Sequence, residues 1–260
     1  MNNFKNCLLI FFYFIALISS AQEGTRAPKN NDQAVIGKIM LVPFDPKLYM
    51  SEIDMKINQQ TKWNFEKIRE NFRQQLNNQL KLKLQSTAPV VSFYSDSAKM
   101  AKDLFYIYNS TNLSYDLVSN PNPKTQPVKQ SGIKNGQLAV EVNTDKKFMN
   151  TKITDQKMLS YLNNKYKTDY FVFVNQLDIT NDMDSYDIAT DTYQREVAVH
   201  YTIVDKAGKS LSSGMSTSRF SSKENDPKKI VALNFSPISS DIASKLTAIV
   251  KPEQAKSQKK

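Results

Sequence analysis

The residues able to do chemistry are few and scattered. The 260-residue chain has one histidine, His200, and one cysteine, Cys7, which excludes the usual Cys/His zinc sites and any disulfide within one chain. Its glycines stand at 24, 37, 132, 136, 208 and 214, so no dinucleotide loop, P-loop or G-x-S-x-G nucleophile elbow can be formed. The densest carboxylates are Asp178, Asp182, Asp184, Asp187 and Asp191. Hard oxygens at such spacing suit calcium, and Asp182, Asp184 and Asp187 are the candidate ligands. The glycine and terminal glutamate of an EF-hand are missing, and a solvated acidic turn accounts for the segment equally well. Glu196, Asp178 and Asp205 could supply the acid and base of glycoside cleavage, but nothing in the sequence sets two of them across a sugar. His200 lies in an alternating segment, Glu196 to Val204, with no partner for a catalytic pair. It is expected to be structural, and no catalytic residue or cofactor is assigned.

Two further patterns carry other chemistries. Phe105, Tyr106 and Tyr108 beside Lys99 and Lys102 imitate a base-stacking surface, although core packing explains the same aromatics and no nucleic-acid partner is expected. Asp96-Ser97-Ala98 matches a short Asp-Ser/Thr-small pattern that resembles an O-glycosylation acceptor, which makes Ser97 a candidate modification site.

The elements that must position these residues follow from hydrophobic spacing. Residues 1–21 read as a cleaved signal peptide: Lys5 gives the positive start, Cys7 to Ile18 the apolar run, and Ser19-Ser20-Ala21 the small residues before the cut. Cys7 opens that run instead of following it, so lipid attachment is not expected. Lys5 is the only charge in residues 1–21, so cleavage takes the formal net charge from +10 to +9. A basic balance of this size favours acidic partners such as an anionic envelope surface. A flexible lead over 22–34 follows, then a single α/β domain over 35–250 and a basic tail over 251–260.

Within the domain, Val35 to Phe44 predicts a buried strand, and Phe65, Ile68, Phe72, Leu76, Leu80 and Leu84 share one face of a long helix. A short strand over 89–94 precedes a helix with Ala98, Ala101, Leu104, Phe105 and Tyr108 inward. Residues 109–136, with Pro121, Pro123, Pro127 and two glycines, read as a long inserted loop and the favoured place for contacts with other molecules. Leu138 to Val142 predicts a strand, Thr154 an N-cap, and Met158, Leu159, Leu162 and Tyr166 a helix face. Asp169 to Ile179 is the clearest strand, followed by an acidic connection. Glu196 to Val204 and Leu211 to Ser221 then make a hairpin about Gly208. Asp226-Pro227 opens a helix that Pro237 interrupts, and a final helix presents Ile242, Leu246 and Ile249. The fold class is therefore α/β, a mixed sheet of about five or six strands flanked by helices, with a proline-containing insertion.

Three segments in this order carry a family resemblance: Lys38-Ile-Met-Leu-Val-Pro-Phe44, Leu162-Asn-Asn-Lys-Tyr-Lys-Thr-Asp-Tyr-Phe-Val-Phe-Val174 and Val199-His-Tyr-Thr-Ile-Val-Asp-Lys-Ala-Gly-Lys209. The arrangement resembles the α/β domain shared by the amino-terminal part of TolB and the curli-secretion lipoprotein CsgG. It departs from that pattern at the 109–136 insertion, at Thr168, where the family has a small residue, and in lacking a lipobox. The resemblance implies a non-catalytic envelope protein working in assembly or binding through an envelope protein or surface, while the signal peptide leads to the expectation of a periplasmic or secreted protein and the lack of a further long apolar run to one peripheral at most to the membrane. A glycan hydrolase of the envelope and a calcium-dependent binding module are the alternatives.

Overall fold

The computed structural model describes residues 37–94, 97–118, 133–134, 137–138 and 146–257. The described residues all belong to one compact unit. The signal peptide and flexible lead expected over 1–34 lie outside the described residues, as does most of the strand expected over 138–142.

The chain is α/β, as its periodicity predicts. The strands are β1 (Lys38–Val42), β2 (Tyr49–Ser51), β3 (Val90–Ser92), β4 (Thr111–Leu117), β5 (Ile133–Lys134), β6 (Gln137–Leu138), β7 (Lys147–Ile153), β8 (Thr168–Asp187), β9 (Thr192–Asp205) and β10 (Ser210–Ser221). The helices are α1 (Asp54–Thr61), α2 (Phe65–Leu84), α3 (Ser97–Asn109), α4 (Gln156–Tyr166) and α5 (Pro227–Ser257). A six-stranded mixed sheet has the order β10-β9-β8-β1-β3, with β2 pairing the distal half of β8. β3, β1, β8 and β2 run parallel, whereas β8, β9 and β10 form an antiparallel meander. β4 and β7 make a separate two-stranded ribbon, and β5 pairs with β6.

Alternation along the strands divides the side chains between two layers. Ile39, Leu41, Val172, Val174, Val197, Val199 and Ile203 point to one face, where Ile68, Phe72, Leu76 and Leu80 of α2 and Ile230, Phe235, Ile242 and Leu246 of α5 cover them. Met40, Val42, Phe171, Phe173 and Val204 point to the other, beneath Met100 and Ile107 of α3 and Met158, Leu159 and Leu162 of α4.

Several local expectations change. The strand β4 occupies the start of the segment expected to be a loop over 109–136, and β7 is an additional strand; each is paired with the other, a long-range contact that neither segment's own pattern reveals. In α3 the inward residues are Met100 and Ile107, while Phe105 is 71% exposed, so the helix is rotated from the expected face. The rotation turns Asp103 inward, where it accepts hydrogen bonds from Tyr161, Lys165 and Tyr166 of α4. The α4 N-cap is Asp155, not Thr154, its carboxylate accepting from Lys157 N–H at 2.9 Å. α5 continues through Pro237 and into the expected tail at 251. Pro237 and Leu233 both lie on the exposed side, so the Leu233 carbonyl that loses its helical donor can be hydrated. The buried position near the end is accordingly Val250 and not Ile249.

Candidate functional site

The feature that sets this molecule apart is the way its ribbon is mounted on the sheet. The apolar run Phe171-Val-Phe-Val174 of β8 is interrupted by Asn175-Gln176, and the pairing with β9 shifts register between Val174 and Gln176. This bulge changes the alternation phase, so Asn175, Gln176 and Asp178 share one face, joining His200 and Thr202 of β9. Beyond the last apolar layer under α3 and α4, that face therefore becomes polar.

β7 lies on this polar platform. Its Met149 and Thr151 stand opposite Tyr115 and Leu113 of β4, and the side chains of the platform supply the backbone partners on its other edge. Met149 N–H donates to His200 Nδ1 at 2.8 Å, and Thr151 N–H donates to Thr202 Oγ1 at 3.0 Å. Asn175 Nδ2 donates to the Met149 carbonyl and to Thr202 Oγ1, both at 2.8 Å. Asn175 Oδ1 accepts from Thr151 Oγ1 at 2.6 Å, and Thr202 Oγ1 donates to Asn150 Oδ1 at 2.7 Å. Asn175, Thr151, Thr202 and His200 are all buried. A cluster of this kind stabilises only when its polar atoms are satisfied, and here three side chains stand in for the missing neighbour strand.

His200 is the pivot. Because Nδ1 accepts a backbone N–H, the ring proton resides on Nε2, which donates to Asp178 Oδ2 at 3.0 Å. Gln176 Nε2 also donates to Asp178, at 2.7 and 2.9 Å, and Tyr115 O–H donates to Gln176 Oε1 at 3.1 Å. The imidazole thus has both nitrogens occupied inside the fold, and the chain Tyr115–Gln176–Asp178–His200 ties β4 as well as β7 to the sheet.

On the side that β4 shares with Met149 and Thr151 the ribbon carries a partly exposed apolar stripe. Leu113, Tyr115 and Leu117 alternate along β4 on one side, Tyr115 being 53% and Leu117 56% exposed, with exposed Val118 following. At its foot, Leu113, Thr151, Asn175, Tyr108 and Val42 line a cavity of about 30 Å³ at the carboxyl end of β1. β1 has parallel neighbours on both sides, and such a switch point is where open α/β sheets usually bind ligands. The space is an order of magnitude below the ~300 Å³ of a small-molecule pocket. Tyr108 O–H donates to the Pro43 carbonyl at 2.7 Å in its wall, and Arg73 Nε donates to the neighbouring Phe44 carbonyl at 2.8 Å. Burial pushes the Tyr108 hydroxyl up to about 12, keeping it a donor.

The other candidate residues are dispersed. The acidic segment is not a loop: Asp178, Asp182, Asp184 and Asp187 belong to β8, which extends to Asp187. Asp182 pairs with Arg219 at 3.2 Å. Asp187 accepts from Ala189 N–H and Thr190 Oγ1 in the turn, which holds its carboxyl below the usual range. Among the described residues no three acidic, histidine or cysteine side chains gather as a metal site. Glu196 is engaged by Arg219, and Asp205 accepts from Ala207 and Lys209 N–H in the hairpin. Glu196, Asp178 and Asp205 each have a structural partner of their own. Ser97 opens α3. Tyr106 and Tyr108 bind Asp155 and the Pro43 carbonyl, so they do not join Phe105 in a stacking surface.

Sequence reasoning missed Asn175, Gln176 and Thr202, although two adjacent amides inside an apolar strand were a visible signal for a bulge. It also missed Arg195, fully buried between the rings of Tyr193 and Phe220. Its Nη1 donates to the Glu224 carbonyl at 2.8 Å and to Asn225 Oδ1 at 3.0 Å, pinning the turn before α5.

Comparison of the chain with protein-family models and with curated proteins finds no match. Neither comparison points to catalysis. Among the described residues no helix is long and apolar enough to cross a membrane.

Proposed function

We propose that the protein is a non-catalytic assembly or binding component of the cell envelope, as its resemblance to the TolB and CsgG domain implies, and that the β4–β7 ribbon is its contact surface. The observation that carries this reading is the exposed apolar stripe Leu113, Tyr115 and Leu117, held on a strand whose partner is locked to the sheet by buried hydrogen bonds. Exposed large apolar side chains in sequence along one strand are characteristic of interaction sites. A rigid mount also lowers the ordering cost of association.

A glycan hydrolase needs two carboxylates free to face one sugar, whereas Asp178, Glu196 and Asp205 are each held by a partner of their own within the fold, which argues against that alternative. The expected partner is an envelope protein with an apolar, polar-rimmed surface, reached in a basic chain that also favours anionic surroundings. In-cell crosslinking from the ribbon, compared between the native chain and a variant with a polar stripe, tests the proposal.

A further inference from the structure

The central sheet ends in two edges of unlike kind. β3 is three residues long and offers little to pair with. β10 runs for twelve residues, Ser210 to Ser221, about 40 Å at ~3.4 Å per residue. Among the described residues its strand partner is β9 alone. The devices that usually blunt such an edge are proline, an outward lysine, repeated bulges or brevity. β10 contains no proline or lysine, and its register is regular from Ser212 to Ser221 after one shift. Its one charge, Arg219, is drawn back to Glu196 at 3.3 Å and Asp182 at 3.2 Å. Ser212, Gly214, Ser216 and Ser218 oppose Ile203, Tyr201, Val199 and Val197, and these small residues let α5 cover that side of the edge strand.

We propose that β10 is a self-association edge, on which a second copy of this chain pairs antiparallel through its own β10 and continues the sheet across a two-fold axis. The occupant follows from charge and composition. With the axis at Met215, Arg219 meets Leu211 and Ser213 meets Thr217 of the second copy, so no like charges oppose each other across the strands. Serine and threonine on both sides supply cross-strand hydrogen bonds in addition to the backbone ladder. An isologous contact of this type closes as a dimer and leaves no free β10. The edge's one charge, Arg219, is already engaged by Glu196 and Asp182 and offers little to a charged peptide, while the chain's net charge of +10 opposes bringing two copies together. Self-association should therefore strengthen with salt, because screening removes that repulsion. Binding to an oppositely charged partner would show the reverse.

The test is the solution mass of the purified chain by light scattering across concentration and at about 0.05 and 0.5 M salt, alongside two variants. Ser213 and Thr217 lie on the half-exposed side opposite α5, so Ser213→Lys/Thr217→Lys sets lysine against lysine across the axis without entering the core. Ser213→Glu/Thr217→Glu does the same with carboxylates. The expected result is a doubled mass for the native chain, more complete at high salt, a single mass for each variant alone, and restored doubling when the two variants are mixed. A native chain that remains at single mass at about 100 μM overturns the proposal. In that case slow hydrogen exchange along the outer edge of β10 would identify a segment of the same chain as its occupant. A native dimer that both variants leave intact also overturns it, by placing the interface elsewhere.

Discussion

The two faces of β8 and β9 are held by different physics. On the face toward α2 and α5, Val172, Val174, Leu177, Ile179, Val197, Val199 and Ile203 are buried in one continuous apolar cluster. On the other face the apolar layer of Phe171, Phe173 and Val204 stops at the bulge, and Asn175, His200 and Thr202 take over beneath the ribbon. The apolar face gains its stability from area, which is non-directional and tolerant of small shifts. The polar face gains position, because each hydrogen bond fixes one backbone group of β7. This fold uses its apolar core to stay folded and its buried polar residues to hold one surface element in register.

Substitutions should separate the two. Phe72→Ala removes a fully buried ring that contacts Phe235 and Tyr49, and it is expected to cost about 3–5 kcal/mol of global stability, read as a lower urea midpoint with all probes moving together. Thr202→Val keeps the shape but strips the oxygen that serves Thr151 N–H, Asn175 Nδ2 and Asn150 Oδ1. Its expected cost is about 1–3 kcal/mol, concentrated in the ribbon. Hydrogen exchange should show faster opening over 147–153 with α2 and α5 unchanged. Equal acceleration in both regions would erase the distinction between the faces.

How much of this was legible in the sequence follows the same division. Period-3.6 spacing marked α2, an apolar run marked β8, alternation marked β9 and the turn about Gly208 marked β10, because burying an apolar face leaves a pattern that can be read. The ribbon is less legible, because the alternating Leu113, Tyr115 and Leu117 of β4 stay partly exposed instead of marking a buried face, and β7 is positioned by partners 24 to 52 residues away. The face of α3 is hidden from its spacing because Asp103 is buried by three donors from α4. The aspartate segment carries no strand signal because β8 continues beyond the sheet's core, paired to β9, where no apolar face is needed.

Asp103 gives the smallest expected effect and sharpens the comparison by pH. Burial raises its carboxyl, but the hydrogen bonds from Lys165, Tyr166 and Tyr161 outweigh burial and hold it below the usual range. A depressed folded-state value contributes stability that is complete above the unfolded value of about 3.9 and is lost as pH falls through the folded one. The stability difference between the native chain and Asp103→Asn should therefore be present at pH 7 and shrink below about pH 4. A difference that is constant with pH would mean that Asp103 acts by shape alone. Tyr166, raised to about 12 by burial and by Asp103, should stay protonated until strongly alkaline pH in an absorbance titration.

The ribbon is proposed here as a contact surface and not merely part of the fold. Leu113→Ser/Leu117→Ser removes two members of the stripe while leaving Tyr115 and every hydrogen bond to Asn175, His200 and Thr202 in place. The decisive measurement is recovery of crosslinked envelope partner from cells expressing the native or variant chain, with circular dichroism and the urea midpoint confirming equal folding. The account predicts at least a tenfold loss of one specific crosslinked partner in the folded variant. Undiminished recovery of that partner would contradict it.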